Sequence, residues 1–295
     1  MKPSSSIPIL TGARDLLSQY DVLLCDVWGV IHNGREHYPA ACEALINYRK
    51  GGGRVVLVTN APRPNAPIRL QLDGLHVPRD CFDDIVTSGD VTMSFIEAHG
   101  DAPVHHIGPE RDLTLFDELR ASGHNPPLVP IEKADYVICT GLNDEYVETP
   151  DDYTDRLKLM LARKLDLISA NPDLIVHVGD KLLYCSGAIA QLYEQIGGKV
   201  IQAGKPYAPI YQRAYEIAQK LLGRSVNKDR VLGIGDAMRT DVKGACDFGV
   251  DALFVTSGIH RDVLHPHSVL DEAAFAQFIT DAPVTPRAAI PALTW

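Results

Sequence analysis

Val22-Leu23-Leu24-Cys25, Val55-Val56-Leu57-Val58, Val231-Leu232-Gly233-Ile234 and Ala252-Leu253-Phe254-Val255 are short, uninterrupted apolar runs with amphipathic stretches between them. A strand that is apolar at every position is covered on both faces, which calls for helices on either side of a parallel sheet. The stretch between the first two runs fits a crossover helix. Pro39 opens it, Ala41, Ala44, Leu45 and Tyr48 share one face, and Gly51-Gly52-Gly53 stops it. Lys199-Val200-Ile201 adds a further run, followed by a helical stretch from Pro209 to Leu222, and is expected in the same sheet. The fold class is therefore α/β, a Rossmann-like core of parallel strands flanked by helices.

The interval from Thr59 to Lys205 is far longer than the roughly 30 residues of one strand-helix-strand unit. It holds elements of its own: Val104-His105-His106-Ile107, Tyr136-Val137-Ile138-Cys139, a helix from about Asp151 to Leu165, and Asp166-Leu167-Ile168-Ser169. We expect residues 87–183 to form an inserted α/β domain, with 1–86 and 184–295 forming the core. A length of 295 residues suits two modest domains.

A net charge of -10 argues against nucleic-acid or anionic-membrane partners, because phosphate backbones are gripped by clustered Lys and Arg. No stretch approaches the ~20 apolar residues of a membrane span. Met1-Lys2-Pro3-Ser4-Ser5-Ser6 leads into no apolar signal core, so a cytoplasmic location is expected. The six cysteines form no C-x-x-C pair and read as free, mostly buried thiols. His105 and His106 are neighbours on a strand and point to opposite faces, which argues against a shared zinc. Gly233-Ile234-Gly235 begins like a dinucleotide loop, but Met238 stands where the third glycine belongs.

Four segments fall at or just beyond the carboxyl ends of predicted strands, where open parallel sheets place their ligands. They are Asp26-Val27-Trp28-Gly29-Val30, Thr59-Asn60, Gly204-Lys205-Pro206, and Gly235-Asp236 through Thr240-Asp241. Three carboxylates, a lysine and a threonine hydroxyl suit a hard, oxygen-loving cation and a phosphate. Magnesium would offset repulsion between an anionic nucleophile and an anionic phosphate, while Lys205 and backbone donors would stabilise charge on the phosphoryl oxygens. Asp26 could then attack in line to give an aspartyl-phosphate that water breaks.

These segments, in this order, resemble the four motifs of the haloacid dehalogenase superfamily. The long insertion, the Gly204-Lys205-Pro206 form of the third motif and Asn171-Pro172-Asp173 are similar to its class IIA branch, which includes sugar-phosphate, phosphoglycolate and pyridoxal-phosphate phosphatases. The resemblance implies a magnesium-dependent phosphatase of a small, sugar phosphate-like metabolite, with the inserted domain as a specificity cap. It makes Asp26 nucleophile and metal ligand, Asp236 a second ligand, and Asp241 a ligand through water or an anchor behind it. Trp28 would bind the metal by its backbone carbonyl, and Thr59, Asn60 and Lys205 would bind the phosphate. Asn171 would face the substrate unless it only forms the turn around Pro172. The branch's habit implies a homodimer.

One position departs from the pattern. The family's phosphatases usually carry a second Asp two residues after the nucleophile, where it protonates the leaving oxygen and later activates water; here Trp28 stands there. A positioned acid/base contributes roughly 100- to 10,000-fold. Either another group such as His32 or a cap residue supplies the proton, or the leaving group needs none, or the reaction is not phosphoester hydrolysis. Two alternatives therefore accompany the phosphatase reading: a dehalogenase-like hydrolase, and a weakly active or non-catalytic phosphate-binding regulatory protein. Trp28 itself reads equally as packing or as a wall of the substrate pocket.

Overall fold

Among the described residues, twelve strands carry the fold: β1 (Val22–Cys25), β2 (Arg54–Thr59), β3 (Asp84–Thr87), β4 (Val104–Ile107), β5 (Tyr136–Cys139), β6 (Asp166–Ser169), β7 (Ile175–Val178), β8 (Lys181–Tyr184), β9 (Val200–Gln202), β10 (Val231–Gly235), β11 (Asp251–Val255) and β12 (Ala288–Ile290). The structure, a computed structural model, describes residues 7–178 and 181–295, apart from the side chain of His177. The reading of the chain start, Met1 to Ser6, lies outside the described residues. The chain divides into two compact units. One comprises Met1–Val58, Leu72–Ile85 and Tyr211–Trp295; the other comprises Thr59–Gln71 and Val86–Ile210.

The six-stranded sheet runs β12-β11-β10-β1-β2-β3. β1 pairs in parallel with β10 on one side and β2 on the other, with Cys25 opposite both Ile234 and Leu57. All four residues of β1 and all five of β10 are buried, as their continuous apolar character requires. The helix predicted after Pro39 spans Pro39–Lys50 and buries Ala41, Ala44, Leu45 and Tyr48.

The second unit has a four-stranded parallel sheet in the order β4-β5-β6-β9. Alternation along β5 shows how it is covered. Tyr136 and Ile138 pack with Ile96, Leu115, Phe116 and Leu119, from the helices Ser88–Ala98 and Thr114–Ala121. Val137 and Cys139 point the other way, toward Leu157, Met160, Ile189 and Tyr193 of the helices Thr154–Ala162 and Ser186–Gln195. β7 and β8 form a separate antiparallel hairpin.

One expectation is overturned. β9 does not join the six-stranded sheet; it pairs with β6, Leu167 opposite Val200. Its residues are only half buried, and so short a run carries no pattern that could choose between two parallel sheets. Among the described residues no helix is long and apolar enough to cross a membrane.

Candidate active site

In the first unit the parallel register of β1 and β10 aligns two acids. Asp26 N–H donates to Ile234 O at 2.8 Å, extending the ladder one residue past Cys25. Asp236 follows two residues after Ile234, and the chain then winds through a wide turn in which Ala237 O accepts from both Asp241 N (2.9 Å) and Val242 N (3.2 Å). Such i→i+5 winding recurs at functional sites. It brings Asp241 back, its Oδ2 accepting Ala237 N–H at 3.0 Å. One carboxylate oxygen from each of Asp26, Asp236 and Asp241 lies within 4.8 Å of the others, and all three residues are buried.

The surroundings are built around Asp236. Its Oδ2 accepts Ile259 N–H at 2.7 Å. A Cβ at Gly29 or Gly258 would fall 2.0 Å from the same oxygen, and Gly29 holds a φ of 83° that side-chain-bearing residues avoid. Backbone from two separate segments is thus pressed onto one carboxylate. Three buried carboxylates this close repel one another strongly unless a cation neutralises them. An all-oxygen donor set fits a hard divalent ion such as magnesium.

Trp28 brings no carboxylate to this group. Its half-buried ring stands over Gly34, where a Cβ would lie 2.5 Å from Cη2, and edge-on to His32. His32 is buried, and its Nδ1 accepts Gly34 N–H at 3.0 Å. A ring nitrogen that accepts from a backbone amide carries no proton itself. Burial also holds the imidazole down at about 4, so His32 is neutral near pH 7 and poorly suited to the proton-donor role that the sequence left open for it.

The second unit gathers the remaining predicted residues. Thr59 closes β2 with its Oγ1 accepting Ala61 N–H at 3.2 Å. Asn60 is a clasp: Oδ1 accepts Lys205 N–H at 2.7 Å, while Nδ2 donates to Lys205 O at 3.3 Å and to Asp173 Oδ1 at 3.0 Å. It fixes the Gly204-Lys205-Pro206 turn, whose last peptide is cis, and Lys205 is buried. Asn171 Oδ1 accepts Asp173 N–H at 3.0 Å, the Asx turn that its position before Pro172 suggested. The predicted residues thus fall into two groups, Asp26, Trp28, Asp236 and Asp241 in one unit and Thr59, Asn60, Lys205 and Asn171 in the other. Ile259, whose amide holds Asp236, carried no signal in the sequence, and neither did Arg63. Asp173 was visible only as part of Asn-Pro-Asp.

A family profile described as haloacid dehalogenase-like hydrolase matches residues 23–123, and a second, described as HAD-hydrolase-like, matches 202–282. The crystal structure of a hydrolase of the haloacid dehalogenase-like family from Brucella suis 1330 is 42% identical over 97% of this chain and 100% of its own, with a TM-score of 0.85. This chain belongs to the haloacid dehalogenase-like hydrolases. Within that family, the acid sugar phosphatase of Staphylococcus epidermidis is 25% identical over 82% of this chain and 89% of its own. The ribonucleotide monophosphatase NagD of Escherichia coli K12 is 26% identical over 80% and 88%. These relatives place the hydrolase in the class IIA branch. Its two profile matches include all four motif segments, Asp26 and Thr59-Asn60 in the first, Lys205 and Asp236 to Asp241 in the second.

Proposed function

We propose that this hydrolase is a phosphomonoesterase of small phosphorylated metabolites, sugar phosphates or compounds like them, working through Asp26. The observation that carries the reading is the convergence of Asp26, Asp236 and Asp241 within 4.8 Å at the carboxyl ends of two adjacent parallel strands. Relatives named acid sugar phosphatase and ribonucleotide monophosphatase support the substrate class. Asp26, Asp236, Asp241 and the Trp28 carbonyl would hold magnesium, which when bound supplies positive charge against the anionic phosphate. Thr59, Asn60 and Lys205 bind and orient the phosphoryl group. One Asp26 oxygen attacks phosphorus while the bond to the leaving oxygen breaks, and water then cleaves the aspartyl-phosphate to return the carboxylate. The inserted domain, which runs from residue 87 through β9, acts as the cap that selects the substrate, and we place the enzyme in the cytoplasm as a homodimer.

The test is a panel of phosphate monoesters assayed with and without Mg2+, on the wild type and on Asp26→Asn. Magnesium-dependent release of inorganic phosphate that disappears in the variant is expected. Phosphate binding without turnover would instead favour the non-catalytic reading that Trp28 raises, and halide release without magnesium would favour the dehalogenase-like one.

A further inference from the structure

The second unit holds a charge cluster that this phosphatase reading does not use. β4 ends at Ile107 and the chain continues into Arg111 and Asp112; β5 ends at Cys139 and continues into Thr140 and Glu145. The carboxyl edge of this parallel sheet therefore carries its own row of polar groups, at the position where such sheets bind ligands. Asp112 is 2% exposed, and its Oδ1 lies 3.9 Å from Nε of both Arg63 and Arg111. The two arginines are not equivalent. Arg111 is more than half exposed and already paired, Nη1 to Glu145 Oε1 at 2.6 Å.

Arg63 is about three-quarters buried, and among the described residues its guanidinium makes one hydrogen bond, from Nη2 to Gln71 Oε1 at 2.7 Å. The 3.9 Å to Asp112 is an ion-pair distance, too long for a hydrogen bond. Burial pulls the Arg63 pKa down, Asp112 acts in the opposite direction and Arg111 opposes it. Burial likewise pushes the Asp112 carboxyl up, so the counter-charge is itself poorly solvated. A guanidinium offers five N–H donors in a planar fork suited to an oxyanion. Here the rest of that fork has no protein acceptor among the described residues and keeps some access to solvent, so its donors are open to a ligand.

The backbone around Arg63 is equally fixed. Gly89 N–H donates to Ala61 O at 3.1 Å, and a Cβ at Gly89 would lie 2.4 Å from Arg63 C and O, so the 59–63 loop is seated on the start of the helix Ser88–Ala98. The same loop carries Thr59 and Asn60 four and three residues earlier, and four residues span at most roughly 14 Å. That is the reach of a small metabolite.

We propose that Arg63 is a specificity residue: its guanidinium binds a second oxyanion, a carboxylate or a further phosphate, on the leaving group of the substrate, with Asp112 holding it in place. The inference rests on the phosphatase reading and narrows it to small phosphates that carry a second negative group.

The experiment compares kcat and KM on three substrates: a phosphate ester of a neutral sugar or polyol, a phosphorylated hydroxy acid and a sugar bisphosphate. Arg63→Met is expected to raise KM for whichever second-anion substrate the wild type prefers by about 30-fold, the loss of a charge-assisted hydrogen-bonded pair. The neutral ester should change less than about threefold, and Arg63→Lys should recover part of the loss. The hydroxy-acid and bisphosphate arms separate a carboxylate from a phosphate as the recognised group. A uniform loss across all three substrates, accompanied by a lowered Tm, would show that Arg63 serves only the fold and overturn the proposal. No phosphate release from any of the three by the wild type would sink the parent reading first, and this one with it.

Discussion

The indole of Trp28 meets the imidazole of His32 edge to face, ring centroids 4.9 Å apart and planes at 74°. The pair fills the place two residues after Asp26, the proposed nucleophile, with packed rings in place of a carboxylic acid. Without a positioned acid, the rate of the first step follows the stability of the departing oxyanion. Aryl and acyl phosphates are therefore expected to react about 100- to 10,000-fold faster than alkyl phosphates, in proportion to the missing acid's usual contribution. A plot of log kcat/KM against leaving-group pKa should be steep for the wild type and shallower for Trp28→Asp. Equal rates on aryl and alkyl esters in the wild type would mean that a proton donor exists elsewhere.

What could be read beforehand divides along physical lines. Asp26 and Asp236 were legible because each follows a continuous apolar run, and parallel strands of equal register must deliver their next residues to the same edge. Asp241 was legible only by its place five residues after Asp236, and it reaches the site through the wide turn. β9 was misplaced because three half-buried residues say only that they are extended, and the choice of sheet is made by packing of the preceding helix, Ser186–Gln195. Arg63 and Asp112 were invisible for another reason. They are 49 positions apart, and neither sits in an apolar or glycine pattern that would announce a turn, so only the folded sheet edge brings them together. His32 was noticed from its chemistry, but its tautomer depends on the Gly34 amide, which composition does not reveal.

Replacing the acids proposed to hold magnesium should be read out in magnesium affinity. Asp241→Asn keeps an acceptor for Ala237 N–H yet removes a charge, and the half-saturating Mg2+ concentration should rise about 10- to 100-fold. Asp236→Asn should cost at least as much, since Asp236 is pressed between Gly29 and Gly258. Magnesium titrations of turnover, paired with calorimetric titration of the ion alone, measure both. An unchanged magnesium requirement in either variant would remove that residue from the metal site.

Stability should fall with acid through His106. Burial, with a smaller contribution from His105, lowers its pKa from 6.5 to about 4, and its Nε2 lies 2.9 Å from Thr140 Oγ1. The folded chain then binds fewer protons than the unfolded chain between those values. The contribution is complete above about pH 6.5 and is lost as pH falls toward about 4, amounting to on the order of 3 kcal/mol. Asp112, whose pKa is raised, has the opposite sign, its contribution fading as pH rises, but it is common to wild type and variant. His106→Gln retains an amide for Thr140 and removes the titration. Its Tm should therefore drop less than that of the wild type between pH 7 and pH 4.5, and superimposable Tm profiles would contradict the assignment.

Tyr153 ties the loop after β5 to the helix that covers it. The ring is 1% exposed; its hydroxyl donates to Glu148 Oε2 at 2.6 Å and accepts Asn143 N–H at 2.6 Å. The bond from Tyr153 is also the main reason that the Glu148 carboxyl titrates below its ordinary range. Glu145, the partner of Arg111, lies between the two anchored positions. Tyr153→Phe keeps the packing but removes a hydrogen bond to a charged acceptor close to solvent, a cost of about 1 kcal/mol. Glu148→Gln leaves the hydroxyl an acceptor and should cost less. Chemical denaturation of both variants checks the order. If the loop also positions the Arg111–Asp112–Arg63 cluster, Tyr153→Phe should raise KM for substrates with a second anion more than for neutral esters, whereas a pure stability role would leave that ratio at the wild-type value.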